Sequence, residues 1–187
     1  MSVEIIPYQA RWADEFKEIA AGLRGALGKL ALRIDHIGST AVPGLAAKDV
    51  IDIQVTVPTP DQVIIKKLTA LGYRHVPEND SDHRPPDADG PDRDWEKYFF
   101  REAPGRQRIH IHVREQGRPN QRYPLLFRDY LRAHPESAAA YAELKRRLAA
   151  NLSDPETYPE VKDPAVDLIY LAAREWAEAV HWQPDAG

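Results

Sequence analysis

Apolar and polar positions along the chain follow two periods, and the period changes at turns that can be named. Trp12, Phe16, Ile19, Leu23, Leu27 and Leu30 recur at steps of three and four, which predicts an amphipathic helix over about residues 11–30. Gly22, Gly25 and Gly28 weaken its second half. Before it, residues 3–6 are a candidate strand ended by Pro7. After it, two apolar runs at 32–37 and 50–57 predict strands, joined by a Gly-Ser-Thr turn and a loop holding Pro43 and Gly44. Asp61 is placed to cap a helix over 62–71, Gly72 to end it, and residues 73–76 form a further candidate strand.

Residues 77–94 break the pattern. Four prolines and seven acidic residues with almost nothing apolar predict a solvated loop, either plainly flexible or a lid. Strands at 95–102 and 108–115 then form a hairpin across Ala103-Pro104-Gly105. Period two puts His110 and His112 on one strand face and Ile109, Ile111 and Val113 on the other. The remainder is helical. One helix covers 124–133, a second runs from Pro135 through Leu148, and a last one carries Ile169, Ala173, Trp176 and Val180. Thr157 and Glu160 have capping-box spacing, and Pro164 either kinks the last helix or restarts it. The whole reads as α/β (α+β): one domain over 1–187, with a small mixed β-sheet flanked by helices in a core of about 1–118 and a helical region over about 119–187.

Composition narrows the chemistry. The 187 residues include no cysteine, which excludes disulfides, thiolate metal sites and a cysteine nucleophile. A net charge of −4 provides no global basic field for nucleic acid, although local basic clusters stay open. No stretch approaches 18 apolar residues, and the N-terminus lacks a basic segment followed by an apolar core. A cytoplasmic protein that does not enter membranes is expected.

The candidate chemistry centres on residues 36–57. Gly38 permits positive φ or close backbone approach, the hydroxyls of Ser39 and Thr40 can donate to phosphate oxygens, and successive loop N–H groups can cradle an anion. Asp52 lies in an apolar run, where a carboxylate is seldom left unless paired or metal-bound, and it is a hard oxygen ligand suited to Mg²⁺. His110 and His112 can bind metal, phosphate or a nucleotide, or move protons near neutral pH. Plainer readings stand beside these. Gly-Ser-Thr is an ordinary turn composition, the two imidazoles can form a polar sheet face turned to solvent, and Lys145, Arg146 and Arg147 can be a solvated helix face.

Taken together, the block from His36 to Lys48, Ile51-Asp52-Ile53, His110-Ile-His112-Val, Phe127 to Arg132, Tyr141 to Lys145 and Tyr158 to Lys162 resemble the GrpB family over almost the whole chain. Such domains also occur fused to dephospho-coenzyme A kinase. The resemblance implies a nucleotidyltransferase-like fold, whose signature is a strand, a Gly-Ser turn and a following strand with Asp, a hydrophobic residue and a second carboxylate. Gly38-Ser39 and Asp52 meet that signature, but Gln54 stands at the second carboxylate position. Asp49, three residues before Asp52, points to the opposite face of a strand. The third carboxylate has no counterpart, and His110 or His112 lies on the candidate strand for it. Two-metal catalysis needs several anionic groups around its cations, so this set would hold one divalent ion, Mg²⁺ or another, with phosphates completing its shell.

Two readings follow from the resemblance. In the first, the chain binds a nucleoside triphosphate with Mg²⁺ and transfers a nucleotidyl group to an unidentified acceptor. Ser39 and the backbone at Gly38 hold phosphates with Thr40, Asp52 binds metal with His112, and His110 or His112 ligates metal or acts as base. Lys48 neutralises phosphate charge, and Arg128, Lys145 and Lys162 contact phosphate or acceptor. In the second, the same pocket holds a nucleotide or coenzyme A-like ligand without turnover. A third, weaker reading is an interaction domain with a vestigial pocket. The expected partner is a phosphate-bearing small molecule.

Overall fold

A computed structural model describes residues 3–86 and 88–185. Helix α1 (Arg11–Leu27) buries Trp12, Leu23 and Leu27 and leaves through Gly28 at φ 56°. Strands β1 (Arg33–Ile37) and β2 (Ile51–Val57) pair antiparallel. Helix α2 (Gln62–Ala70) follows, with the Asp61 carboxylate accepting from the N–H groups of Val63 and Ile64 as its cap. Gly72, at φ 92°, turns the chain into β3 (Arg74–His75). Strands β4 (Tyr98–Arg101) and β5 (Ile109–Glu115) form the hairpin, and α3 (Pro119–Ala133), α4 (Pro135–Asn151) and α5 (Tyr158–Ala179) complete the chain. The sheet order is β1-β2-β5-β4-β3, with β2 and β5 parallel and the other neighbours antiparallel, an α+β arrangement.

The two faces of this sheet have different jobs. Ile51, Ile53, Val55 and Val57 of β2 and Ile109, Ile111 and Val113 of β5 pack against Trp12, Leu23 and Leu27 of α1 and Ile64 and Leu68 of α2. Strand alternation therefore sends Asp52 and Gln54 of β2, and His110, His112 and Arg114 of β5, to the opposite face. That face is not turned to solvent: Gln54 is 0% and Arg114 4% exposed. A second core, built from Ile37, Val42 and Leu45 with Leu125, Leu131, Tyr141 and Ala173, holds the C-terminal helices beside it. Polar groups on the central strands are thus enclosed between the sheet and the helices, where each must find a partner.

Several local expectations are corrected. Residues 3–6 do not form a strand, because pairing there stops at one bridge between Ile6 and Ala47. Helix α3 starts at Pro119, so Pro124 lies inside it, as Pro164 lies inside α5. The expected Thr157–Glu160 capping box is not formed. Thr157 is itself in the helical region, and the Asp154 side chain caps the preceding turn at the N–H of Glu156. Among its described residues, the segment at 77–94 is not freely solvated either. Asp82 is held by Lys97 Nζ at 2.7 Å, Arg114 Nε at 2.7 Å and Asn120 Nδ2 at 3.0 Å, which pins the middle of the segment to β5 and α3. Burial alone would raise this carboxyl, but the adjacent Arg114 and Lys97 charges hold it well below the usual carboxylate range. Among the described residues no helix is long and apolar enough to cross a membrane.

Candidate functional site

The site begins where β1 ends. Ile37 lies opposite Asp52 on β2, and Asp52 lies opposite His110 on β5, so three strands bring the turn, the carboxylate and an imidazole to one place. Gly38 leaves β1 at φ 71°, and a Cβ added there would stand 2.5 Å from Asp52 Oδ2. Glycine is required on both counts. On the other side of the carboxylate, His110 Nδ1 is 3.0 Å from Asp52 Oδ1. An ionised carboxylate only accepts, so Nδ1 carries a proton, and in the neutral form of the ring Nε2 keeps its lone pair.

Three lysines converge on this point. Lys48, Lys145 and Lys162 line a cleft of about 150 Å³ together with Ser39, Asp52 and His110, and Asp52 is its one carboxylate among the described residues. Lys145 Nζ donates to Ser39 Oγ at 2.8 Å and to the Ala46 carbonyl at 2.6 Å, and lies over the Tyr141 ring. Lys48 Nζ sits 3.9 Å from the centre of the Tyr158 ring. Burial, then repulsion by Lys162, brings Lys145 down to about 7 and Lys48 down to about 8. An anion entering the cleft would relieve that repulsion. A second cavity of about 230 Å³ adjoins the first across Ser39, Asp52, Tyr141 and Lys162 and adds Gly38, His112, Tyr123 and Phe127 to its wall.

Other expected site residues are placed differently. Thr40 lines the cleft, but its hydroxyl donates to the Val50 carbonyl at 3.1 Å, so His36 Nε2, 3.0 Å away, must donate to it. Its hydrogen is therefore spent inside the protein. Arg128 does not line the cleft. Its guanidinium, 5% exposed, donates to the His36 carbonyl at 3.0 Å and pairs with Asp129, fastening α3 to β1. Asp49 turns away to Arg11 and the Trp12 indole N–H. Gln54 is taken up too: its amide donates to the Gln121 carbonyl at 2.9 Å and accepts from Arg114 at 2.8 Å.

The expected metal pair of Asp52 and His112 meets a chemical obstacle. His112 Nδ1 faces Arg114 Nη2 at 3.2 Å. A guanidinium only donates, so Nδ1 is the acceptor. Burial, reinforced by Arg114, holds the imidazole well below its ordinary pKa, so the ring is neutral with its proton on Nε2. Nδ1 accepts from Arg114 and Nε2 carries the proton, so neither offers a lone pair to a cation. Among the described residues no group of three or more His, Cys, Asp or Glu side chains could hold a metal ion. The donor set does not fit a two-metal centre. Asp52 can contribute oxygen to one ion whose other ligands are phosphate and water.

Tyr141 and Tyr158, which form cleft walls beneath Lys145 and Lys48, were not among the expected site residues, although the repeated Tyr-x-x-x-Lys spacing marked them. Tyr123, on the wall of the second cavity, had no such signal.

Residues 2–171 match a family model described as GrpB protein. The chain is 39% identical over 199 residues to a dephospho-CoA kinase of Mycobacterium tuberculosis, covering 96% of this chain and 48% of that protein. It is 36% identical over 177 residues to UPF0157 protein YqkA of Bacillus subtilis, covering 93% of this chain and 48% of that protein. The chain therefore spans about half the length of these relatives. Among solved structures, conserved protein GrpB from Enterococcus faecalis superposes with a TM-score of 0.76 at 30% identity, over 92% of this chain and 99% of that one. Overlap with the MgGTP-bound Cid1 poly(U) polymerase, at TM-score 0.49 and 14% identity, is too slight to bear on activity.

Proposed function

The chain belongs to the GrpB family, and from that premise we propose that its cleft binds the phosphates of a nucleoside triphosphate. The observation that carries this reading is the meeting of Lys48, Lys145 and Lys162 with a single carboxylate beside the Gly38-Ser39 turn. The Ser39 hydroxyl accepts from Lys145 and so keeps its own hydrogen to donate to a phosphate oxygen. Lys48 and Lys162 supply positive charge at the wall, and Lys145 fixes the turn. Asp52 would hold one Mg²⁺ shared with the bound phosphates, which would neutralise their charge.

A second reading, nucleotidyl transfer, draws on the Asp52–His110 pair. With its proton on Nδ1, His110 can take a proton at Nε2 from an acceptor hydroxyl, while that oxygen bonds to the α-phosphorus and pyrophosphate leaves. Binding without turnover draws instead on Gln54, whose amide is bonded away from the cleft.

Calorimetry of the full chain with ATP, CTP, GTP, UTP and coenzyme A, with and without Mg²⁺, tests the binding claim. A pyrophosphate-release assay across candidate acceptors, on wild type and Asp52→Asn, then separates transfer from storage. Binding of none of these ligands contradicts the proposal. Binding without pyrophosphate release leaves the storage reading.

A further inference from the structure

Strand register carries the candidate site further across the sheet than the cleft itself. His110 on β5 lies opposite both Asp52 on β2 and Arg101 on β4, and Arg101 lies opposite Arg74 on β3. Opposed residues share a sheet face, so Asp52, His110, Arg101 and Arg74 form one row across four strands on the face that holds the site. At about 4.8 Å per strand the row is about 14 Å long. The Arg101 guanidinium lies 5.6 Å from the centre of the Phe99 ring, and that ring packs edge-on against His110 with centroids 5.2 Å apart. This stacking sets the Arg101 charge along the sheet, beside His110. Arg108, just before β5, is close enough to Lys48 that its charge, after burial and Lys162, helps to depress that ammonium.

The arginines of this row have no counter-charge. Arg74, Arg101 and Arg108 are exposed, and among the described residues none of them is in an ion pair. Two nearby carboxylates are otherwise engaged: Glu102 accepts from the N–H of Ile109, and Asp49 from Arg11 and the Trp12 indole. Acidic groups gather instead at the other end of β4, where Asp80 and Asp82 face Lys97. In a chain of net charge −4, a file of unmatched arginines ending at the candidate site is a local exception that suits an anion.

The shape of the file selects the anion. A single phosphate fills one guanidinium fork, whereas this row offers successive forks leading to the imidazole that the transfer reading uses as base. A matching ligand has a hydroxyl at its end and a regular series of phosphates behind it. At about 3.4 Å of rise per nucleotide, a stacked strand covers the two intervals from His110 to Arg74 with about three nucleotides. The row is one cation wide and ends at a His110 side chain that is only 21% exposed, which suits a strand end and not a duplex.

We propose that the row from Arg108 through Arg101 to Arg74 binds the backbone of a single-stranded oligonucleotide, with its terminal hydroxyl directed at His110. The choice of occupant rests on the transfer reading and names the class of its acceptor. Binding through phosphates alone is sequence-tolerant and salt-dependent.

Fluorescence anisotropy of labelled oligouridylate and oligoadenylate of about 12 nucleotides on the full chain, without nucleoside triphosphate, tests the surface. The row predicts dissociation constants of about 1–100 μM, similar for both sequences, and a log–log salt slope of about −2 for three phosphates. Arg74→Gln/Arg101→Gln should bind at least about tenfold more weakly, with the slope reduced in magnitude by about 1.4 and an unchanged melting temperature. Lys29→Gln/Lys66→Gln removes the same charge from exposed positions on the α1 and α2 side and should change neither quantity. No binding, equal weakening by the two double variants, or polyglutamate binding as tightly as the oligonucleotides would overturn the proposal. Extension of the oligonucleotide by one nucleotide on adding each triphosphate with Mg²⁺ reads transfer separately. Row-dependent binding without extension supports the surface and counts against transfer alone, whereas extension that Arg74→Gln/Arg101→Gln leaves unchanged supports transfer and overturns the row.

Discussion

Gly38 and Asp52 occupy a space that has room for one side chain: a Cβ at position 38 would lie 2.5 Å from Oδ2 and 3.0 Å from Cβ of the aspartate. The Gly38-Ser39 turn and the carboxylate that orients His110 are therefore mechanically one unit. Gly38→Ala is expected to displace the Asp52 side chain and to strain a backbone at φ 71°. A non-glycine residue at φ 71°, ψ −171° costs about 1–3 kcal/mol by itself. Urea unfolding should show at least that loss, and calorimetry should show nucleotide affinity down by more than about tenfold. Unchanged stability and affinity would mean that the loop and Asp52 move independently.

Placing a carboxylate at position 54 should not create a second metal ligand. Gln54 donates to the Gln121 carbonyl, and a glutamate would set an oxygen against that oxygen in a fully buried place. Gln54→Glu is expected to lose about 1–3 kcal/mol of stability and to gain no Mg²⁺ affinity. Tighter Mg²⁺ binding with wild-type stability would contradict the assignment of Gln54 to the packing of α3.

Affinity should fall as pH rises above neutrality. Lys145 and Lys48 lose their protons near 7 and 8 in the empty cleft. Phosphate groups are already largely ionised at neutral pH, so raising the pH further removes cations without adding much anion. Nucleotide affinity is expected to be highest near pH 7 and to drop between 7 and 9. Binding at pH 8 should also take up protons, measured as a dependence of the heat on the buffer's ionisation enthalpy. Flat affinity across that range, with no proton uptake, would remove the lysines from the site.

Asp82 should anchor the acidic segment. Asp82→Asn leaves Arg114 and Lys97 buried without their counter-charge, and is expected to cost about 3–5 kcal/mol in urea unfolding. Because the folded carboxyl is depressed from 3.8, its contribution is complete above that value and is lost as pH falls below it. The gap between variant and wild type should therefore persist at pH 5–7 and narrow in stronger acid. Faster trypsin cleavage after Arg93 in the variant would report the freed segment.

The sequence shows some of this arrangement and hides the rest for physical reasons. The period-two run at 109–113, the Asp61 cap and Gly72 are local signals, and each marks a feature that the fold contains. Gly38, Ser39 and Asp52 were readable as a group because one turn separates their strands. What covers the His110 face was not readable, since α3, α5 and the segment at 82 reach it from distant parts of the chain. For the same reason Gln54 looked like a defect in a metal site, whereas its amide joins β2 to Arg114 and α3. Arg128 had the composition of a phosphate contact, but its partner is a backbone carbonyl 92 residues away.

The central claim is that Lys48 and Lys162 hold phosphate, and the most direct measurement is calorimetric ATP affinity of Lys48→Gln, Lys162→Gln and the double variant at pH 7, with thermal unfolding as the control. A charge-assisted contact is worth about 1.5–3 kcal/mol, so each single variant should bind at least about tenfold more weakly, and the double variant should bind no ATP at millimolar concentration, all with wild-type melting temperatures. Wild-type ATP affinity in the folded double variant would contradict the account.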